Sequence, residues 1–139
     1  MTHGSRPAWL RRRHRGATET IIEALSRALT EKDDAAVRRL LDRAVTLVID
    51  SGGHLNTAPV PLNGRSAASS ELLALITVRT TAVVASVNGV AGLTLVRDDR
   101  VVAVVTTEVR SHRVSRVWVV CNPEKLRHWN RRDNDLQNI

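Results

Sequence analysis

The chain has 139 residues, of which 42% are hydrophobic and 25% are charged, and this is the composition of one ordinary globular domain. It contains no Phe or Tyr and only three Trp, so its core must consist mainly of Val, Leu, Ile and Ala. The formal net charge is +7, and the single cysteine, Cys121, excludes an internal disulfide and a cysteine-rich zinc site; we expect it to be a buried thiol.

The positive charge is concentrated in residues 1–16, which we expect to form a basic, disordered arm. No acidic residue lies in this segment, and its arginines include Arg11, Arg12, Arg13 and Arg15. Such an arm either stays solvated without a partner or contacts a polyanion, of which nucleic acid is one kind. No hydrophobic segment follows the arginines, as an export signal would require, and no apolar run is long enough to span a membrane. We therefore expect a cytoplasmic protein without a membrane partner.

Two helices are predicted after the arm. Apolar residues from Ile21 to Leu29 recur at helical spacing, and Thr18 is a suitable N-cap. Thr30 is the predicted cap of a second helix, whose apolar stripe runs from Val37 to Ala44. A short strand, a proline-containing loop and a third helix follow, over Val45–Ser51, residues 54–64 and Arg65–Ile76.

The second half of the sequence predicts an antiparallel meander. Four Val-rich segments are separated by turn residues, and Trp118 in the last of them is expected in the core: Thr80–Asn88, Leu93–Arg97, Val101–Val109 and Val114–Cys121. Helices followed by consecutive strands indicate the α+β class. We expect a single domain over residues 17–130 and a polar tail over residues 131–139.

The strand Val101–Val109 is apolar on both faces over its middle. An antiparallel sheet with one solvated face should alternate apolar and polar residues, so both faces here require cover. The helices can cover one face, and a second subunit could cover the other. We therefore predict a homodimer through the sheet; fusion to a missing domain would explain the same pattern.

The last strand ends at a built-in helix start. A residue that precedes proline is disfavoured in the α region, so the strand must end near Asn122. Asn122 can cap a short helix, with Pro123 at its first position and Glu124 in its first turn. Leu126 could then fold back onto the sheet.

Three segments resemble motifs of one family. Asn122-Pro123-Glu124-Lys125-Leu126 is similar to the "NPDKL" ending of the C-terminal domain of bacterial extracytoplasmic-function sigma factors. Asp50-Ser51-Gly52-Gly53 is similar to the Asp-Gly-Gly-Gly of that domain, and the segment from Val87 to Leu93 to its "VNG-x-PGL". The domain is SnoaL-like, of the nuclear transport factor 2-like superfamily. The resemblance covers about Thr18–Leu126, without sigma regions, and departs from the motifs at Ser51 and Glu124.

The resemblance implies a cone in which three helices pack against a strongly bent antiparallel sheet, with a pocket between them. It implies a non-catalytic regulatory module that contacts a sigma factor or RNA polymerase, or that binds a small hydrophobic ligand. The ligand-binding or partner-binding residues implied by the motifs are Asp50, Gly52, Gly53, Asn88, Asn122, Pro123, Glu124, Lys125 and Leu126.

An enzyme is the alternative. SnoaL-like cyclases imply an acid–base pair near the pocket, for which Asp50 and His54 are the candidates. Asp followed by glycines is equally good turn chemistry. The histidines lie apart from one another, and the sequence has no phosphate-binding or dinucleotide-binding fingerprint, so we expect neither a metal nor a cofactor.

Overall fold

The structure is a computed structural model that describes residues 8–52 and 60–137, with side chains for residues 16–52 and 60–130. These residues form four helices, α1 (Ala8–Thr30), α2 (Asp34–Leu40), α3 (Arg65–Ala74) and α4 (Pro123–Gln137). They also form six strands, β1 (Leu41–Asp50), β2 (Leu62–Asn63), β3 (Thr80–Val87), β4 (Val90–Arg97), β5 (Arg100–Arg110) and β6 (Arg113–Val120). In these ranges no helix combines the length and the apolar character needed to cross a membrane.

Helix α1 begins at Ala8 and not at the predicted cap Thr18, so the part of the basic arm from Ala8 to Gly16 is helical. Residues 1–7 lie outside the described residues. At the other end of the sequence, α4 continues to Gln137, through most of the segment that was predicted to be a polar tail.

The start of α2 also differs from the prediction. Asp33, and not Thr30, is its N-cap, and the Asp33 carboxylate accepts a hydrogen bond from the Ala36 N–H at 3.1 Å. Thr30 is the last residue of α1, where its hydroxyl accepts a hydrogen bond from the Ala82 N–H at 3.1 Å. Thr30 thus connects α1 to β3, a contact that helical periodicity does not reveal.

The backbone leaves α2 earlier than the apolar stripe suggests. Leu41 is already extended, with φ −89° and ψ 140°, and β1 begins there. The Asp42 carboxylate accepts a hydrogen bond from the Ala44 N–H at 2.8 Å. Such a local side-chain bond competes with helix formation, which explains why the helix does not reach Ala44.

The sheet has the order β2-β1-β6-β5-β4-β3. The predicted meander is present as β3 to β6, with antiparallel neighbours, whereas β1 is parallel to β6. Three two-residue loops join the meander: Asn88-Gly89, Asp98-Asp99 and Ser111-His112, all with positive φ. This is the backbone of the hairpin turns that match strand twist. Because the first loop is so short, β4 begins at Val90, and Gly92 lies within a strand instead of a loop.

The inner face of the sheet is a continuous apolar layer. Ile49, Val119, Val105, Leu93 and Val84 are neighbours in register across five strands. Helix α1 contributes Ile22, Leu25 and Leu29, all at most 1% exposed. Register shifts in three strand pairs bend the sheet, as bulges do. The α+β class and the bent sheet are confirmed, with four helices in the described ranges and not three.

The outer face of the sheet is mixed. Val48, Trp118 and Thr106 form one row, and Val120, Val104, Thr94 and Val83 form another. Trp118 is 37% exposed, so the prediction that it lies in the core is wrong. Its ring centroid lies 5.1 Å from the guanidinium carbon of Arg116, within range of a cation–π contact. The homodimer through this face stays a prediction.

Candidate functional site

The topology brings the first and last sequence motifs together. Since β1 and β6 are parallel neighbours, with Asp50 opposite Val120, both strands end at the same edge of the sheet. The turn after β1 therefore faces the start of α4. We call this region, Asp50–Gly52 with Cys121–Leu126, the strand-end joint.

Asp50 is the centre of the strand-end joint. Its backbone carbonyl oxygen accepts a hydrogen bond from the Cys121 N–H at 2.8 Å. One carboxylate oxygen, Oδ1, accepts from the Gly52 N–H at 3.1 Å, and the other, Oδ2, accepts from the Lys125 ammonium and forms an ion pair with it. The Asp50 carboxylate thus contacts both motifs, through Gly52 in the first and Lys125 in the last.

Asn122 holds the other side of the joint. Its side-chain oxygen accepts a hydrogen bond from the Glu124 N–H at 3.0 Å, and its backbone carbonyl accepts from the N–H groups of Lys125 and Leu126. Gly52 has φ +100°, and a Cβ added there would lie 3.1 Å from Cγ and Oδ1 of Asn122. Only glycine adopts this backbone easily while leaving room for the cap.

The electrostatics of the joint oppose acid–base and nucleophilic roles. The hydrogen bond from Lys125 lowers the pKa of Asp50, and this outweighs the opposing effect of burial. Asp50 is therefore a carboxylate at neutral pH and a poor proton acceptor. Burial, and secondarily the charge of Asp50, raises the pKa of the Cys121 thiol. Cys121 is half-buried and not fully buried as predicted, and its raised pKa makes it a mainly protonated, weakly nucleophilic thiol.

We expect the thiol to react slowly with iodoacetamide at pH 8, about tenfold or more below the unfolded protein, because the thiolate is the reacting form. Asp50→Asn removes the nearby negative charge and should accelerate the reaction about two- to threefold. Mass spectrometry of the alkylated protein over time measures both rates. A native rate equal to that of the unfolded protein would contradict a half-buried thiol with a raised pKa.

Helix α4 is fixed to the sheet beyond the joint. Leu126 is only 4% exposed. One turn later, the Asn130 side chain accepts a hydrogen bond from the Val101 N–H at 2.9 Å and donates one to the Val101 carbonyl at 3.1 Å. Asn130 was not among the predicted site residues; its spacing of four residues from Leu126, which places both on one helix face, was the available signal.

A cleft of about 510 Å³ lies between α4 and the start of β5. It is lined by Arg100, Val101, Val102, Cys121, Pro123, Leu126, Arg127 and Asn130. A second cleft, of about 400 Å³, lies between α1 and β3. Of these two clefts, neither is lined by Asp50.

The remaining predicted site residues do not lie together in one site. Pro123 and Glu124 are exposed at the joint, and Glu124 lies 3.4 Å from Arg127. Asn88 forms the β3–β4 loop, at the opposite end of the strands from Asp50. Gly53 and His54 lie outside the described residues, as do the side chains of Arg11, Arg12, Arg13 and Arg15. Among the described residues, no three His, Cys, Asp or Glu side chains form a group that could hold a metal.

The space between the helices and the inner sheet face is occupied by side chains. Leu47, Val105 and Val117 on the sheet are 0% exposed, as is Ile22 on α1. The described residues therefore fill the centre of this layer, whereas the second cleft lies at its margin, between α1 and Val84 on the same sheet face.

Neither a protein-family model nor a curated protein gives a significant match to the sequence. Solved structures do. The extracytoplasmic function sigma factor SigJ of Mycobacterium tuberculosis matches with a TM-score of 0.60 and 24% identity, over 78% of this chain and 43% of that one. The match thus spans less than half of the sigma factor.

Two similar structures are named as enzymes. A putative ketosteroid isomerase from Kribbella flavida has a TM-score of 0.55 and 18% identity, and the match covers 76% of this protein and 77% of the isomerase. An epoxide hydrolase-like protein of M. tuberculosis has a TM-score of 0.51 and 16% identity, and the match covers 86% of this protein and 92% of the hydrolase-like one. The protein therefore has the SnoaL-like fold of the nuclear transport factor 2-like proteins, as its motifs predict.

Proposed function

We propose that this protein is a non-catalytic SnoaL-like regulatory module that acts by protein contact, with a sigma factor or RNA polymerase as the partner. The single observation that carries the proposal is the strand-end joint. Its central carboxylate is engaged by Lys125 and by a backbone N–H, and it is not presented to either cleft.

The joint offers a surface suited to a protein partner. Pro123, Glu124 and Lys125 are exposed, whereas Leu126 beneath them is buried. The Asp50 ion pair and the Asn122 cap fix the backbone of this turn, which limits the entropy lost on binding. The similarity to a sigma factor structure, and the motif resemblance to its family, support transcription regulation as the setting.

A pull-down with sigma factors and core RNA polymerase tests the proposal. We expect the intact protein to enrich one of them, and Glu124→Ala/Lys125→Ala to lose most of this enrichment, about tenfold. The matched control is Glu23→Ala/Arg27→Ala, which also removes one acid and one base from an exposed helix face. Equal enrichment by the joint variant and the intact protein would refute the role of the joint.

The second candidate is a small enzyme, which the two enzyme-named structures favour because most of each protein is matched. It would require Asp50 to leave Lys125 and to act as a base with His54. Turnover of an epoxide or a ketosteroid that Asp50→Asn abolishes would establish this candidate and displace the regulatory one.

We also propose that the outer sheet face pairs two copies of the protein. Trp118 and Val83 are 37% and 46% exposed there, and a second copy packed on this face would remove their apolar surface from water. Light scattering at micromolar concentration should give a dimer mass, and Trp118→Glu should give a monomer. Arg79→Glu, at an exposed site before β3, is the control that should remain dimeric. A monomeric intact protein would contradict this proposal.

A further inference from the structure

Two hairpin loops of the meander have the same backbone geometry but differ in charge: Asp98-Asp99 is acidic, and Ser111-His112 carries no acidic residue. Both central residues have positive φ in each: 50° and 64° at Asp98-Asp99, 48° and 63° at Ser111-His112. Each loop is also flanked by two arginines that face each other across the strands, Arg97 opposite Arg100 and Arg110 opposite Arg113. The loops therefore differ in their two central side chains and little else.

In the β4–β5 hairpin the charges are compensated. Two aspartates in the loop balance the two flanking arginines, and Asp98 lies 3.6 Å from Arg79. Arg97 also donates a hydrogen bond to the Thr80 hydroxyl at 3.1 Å. This hairpin shows that the turn accepts acidic residues at both positions.

In the β5–β6 hairpin, the loop between the two flanking arginines contains no acidic residue. Like charges directly opposite each other destabilise a sheet, and an aspartate in the turn would relieve this cost. The loop instead carries Ser111 and His112, both exposed. An uncompensated cost of this kind is typical of a functional surface.

Further arginines lie at the same end of the sheet. The Arg113 guanidinium donates a hydrogen bond to the Arg39 carbonyl at 2.9 Å, so the end of α2 lies beside the hairpin. Arg39 and Arg43 are exposed, and Leu41 between them pairs with Val114. Two carboxylates also lie in this region: Asp42, which accepts a hydrogen bond from the Ala44 N–H, and Glu108, which is opposite Arg116 in the strand register. We call Arg39, Arg43, Arg110 and Arg113 the hairpin arginine cluster.

We propose that the hairpin arginine cluster binds the phosphodiester backbone of a nucleic acid. Guanidinium groups match phosphate in geometry and charge, and phosphate contacts need no apolar surface. A protein interface usually has an apolar centre. The large apolar side chains exposed in the described ranges are not members of this cluster: Val60, Val78, Val83, Val84, Val90 and Trp118. The site is distinct from both the strand-end joint and the N-terminal arm.

Fluorescence anisotropy with labelled oligonucleotides of about 20 nucleotides tests the proposal on the 139-residue chain. We expect the logarithm of the association constant to fall linearly with the logarithm of the salt concentration. The slope should be about −2 to −4 for a few phosphate contacts. Ser111→Asp/His112→Asp copies the loop of the β4–β5 hairpin and should weaken binding about tenfold or more at 50 mM salt. Single-stranded and duplex DNA and RNA probes show which nucleic acid is preferred.

Two further variants make the result decisive. Thr81→Glu/Ser86→Glu changes the formal charge by the same amount on exposed positions of β3, and should bind within about twofold of the intact protein. Arg43→Gln/Arg110→Gln leaves the turn residues unchanged and should weaken binding as much as the loop variant does. A loss of binding in both variants would therefore not come from a misfolded turn. Absence of binding at 50 mM salt, equal losses in the loop and β3 variants, or equally effective competition by polyglutamate would overturn the proposal.

Discussion

Replacing Gly92 by valine should destabilise the fold by about 3 kcal/mol, at the upper end of the range for overpacked cores. A Cβ at this position would lie 2.8 Å from the Val105 carbonyl oxygen and 2.9 Å from Cγ2 of Val87. The Val87 methyl group can rotate away. The Val105 oxygen belongs to the central strand β5 and cannot move without disturbing the β4–β5 pairing.

Urea denaturation measures this effect as a shift in the midpoint at constant slope. The control is Ser86→Val, which adds a β-branched side chain at an exposed position of the adjacent strand and should change the stability by less than about 0.5 kcal/mol. An equally stable Gly92→Val protein would mean that β4 and β5 are not as closely spaced as described.

Leu126→Ala should cost about 2 to 3 kcal/mol, the lower part of the range for a buried leucine, and the loss should be local to α4. Leu126 is 4% exposed but lies outside the main core cluster. Without the Leu126 side chain, α4 is held to the sheet by the Lys125–Asp50 ion pair and the Asn130–Val101 hydrogen bonds. We expect hydrogen exchange in α4 to accelerate while exchange in β3 to β6 changes little.

Arg127→Ala is the matched control, because the neighbouring side chain is 66% exposed and its ion pair with Glu124 is solvated. Such pairs contribute about 0 to 1 kcal/mol, so exchange should stay close to that of the intact protein. Uniform acceleration across the whole sheet in Leu126→Ala would show instead that α4 is part of the global folding unit.

The sequence predicts much of the fold because its local signals agree with its tertiary structure. Val-rich runs separated by Asn-Gly and Asp-Asp place the meander, and the Asn122-Pro123 pair places the start of α4. The α2–β1 boundary was misplaced because a single side chain, Asp42, ends an apolar stripe that continues to Ala44. The position of Trp118 was misjudged because residue type alone does not tell which sheet face the helices cover.

The strand-end joint was only partly predictable. Its residues were visible as two motifs, but their contact depends on the parallel pairing of β1 with β6, for which the sequence contains no local signal. The positions and sizes of the two clefts could not be predicted from the sequence, since the depth of a cavity depends on side-chain packing. Asn130 was missed because its spacing from Leu126 places it on the same helix face but does not reveal its hydrogen bonds to the Val101 backbone.

The parallel pairing of β1 with β6 has a consequence for synthesis. Asp50 and Lys125 are 75 residues apart, and every strand of the meander lies between them in sequence. A nascent polypeptide cannot assemble this contact until Lys125 has left the ribosome. The surface that we propose for a partner therefore forms only after the whole meander has been synthesised.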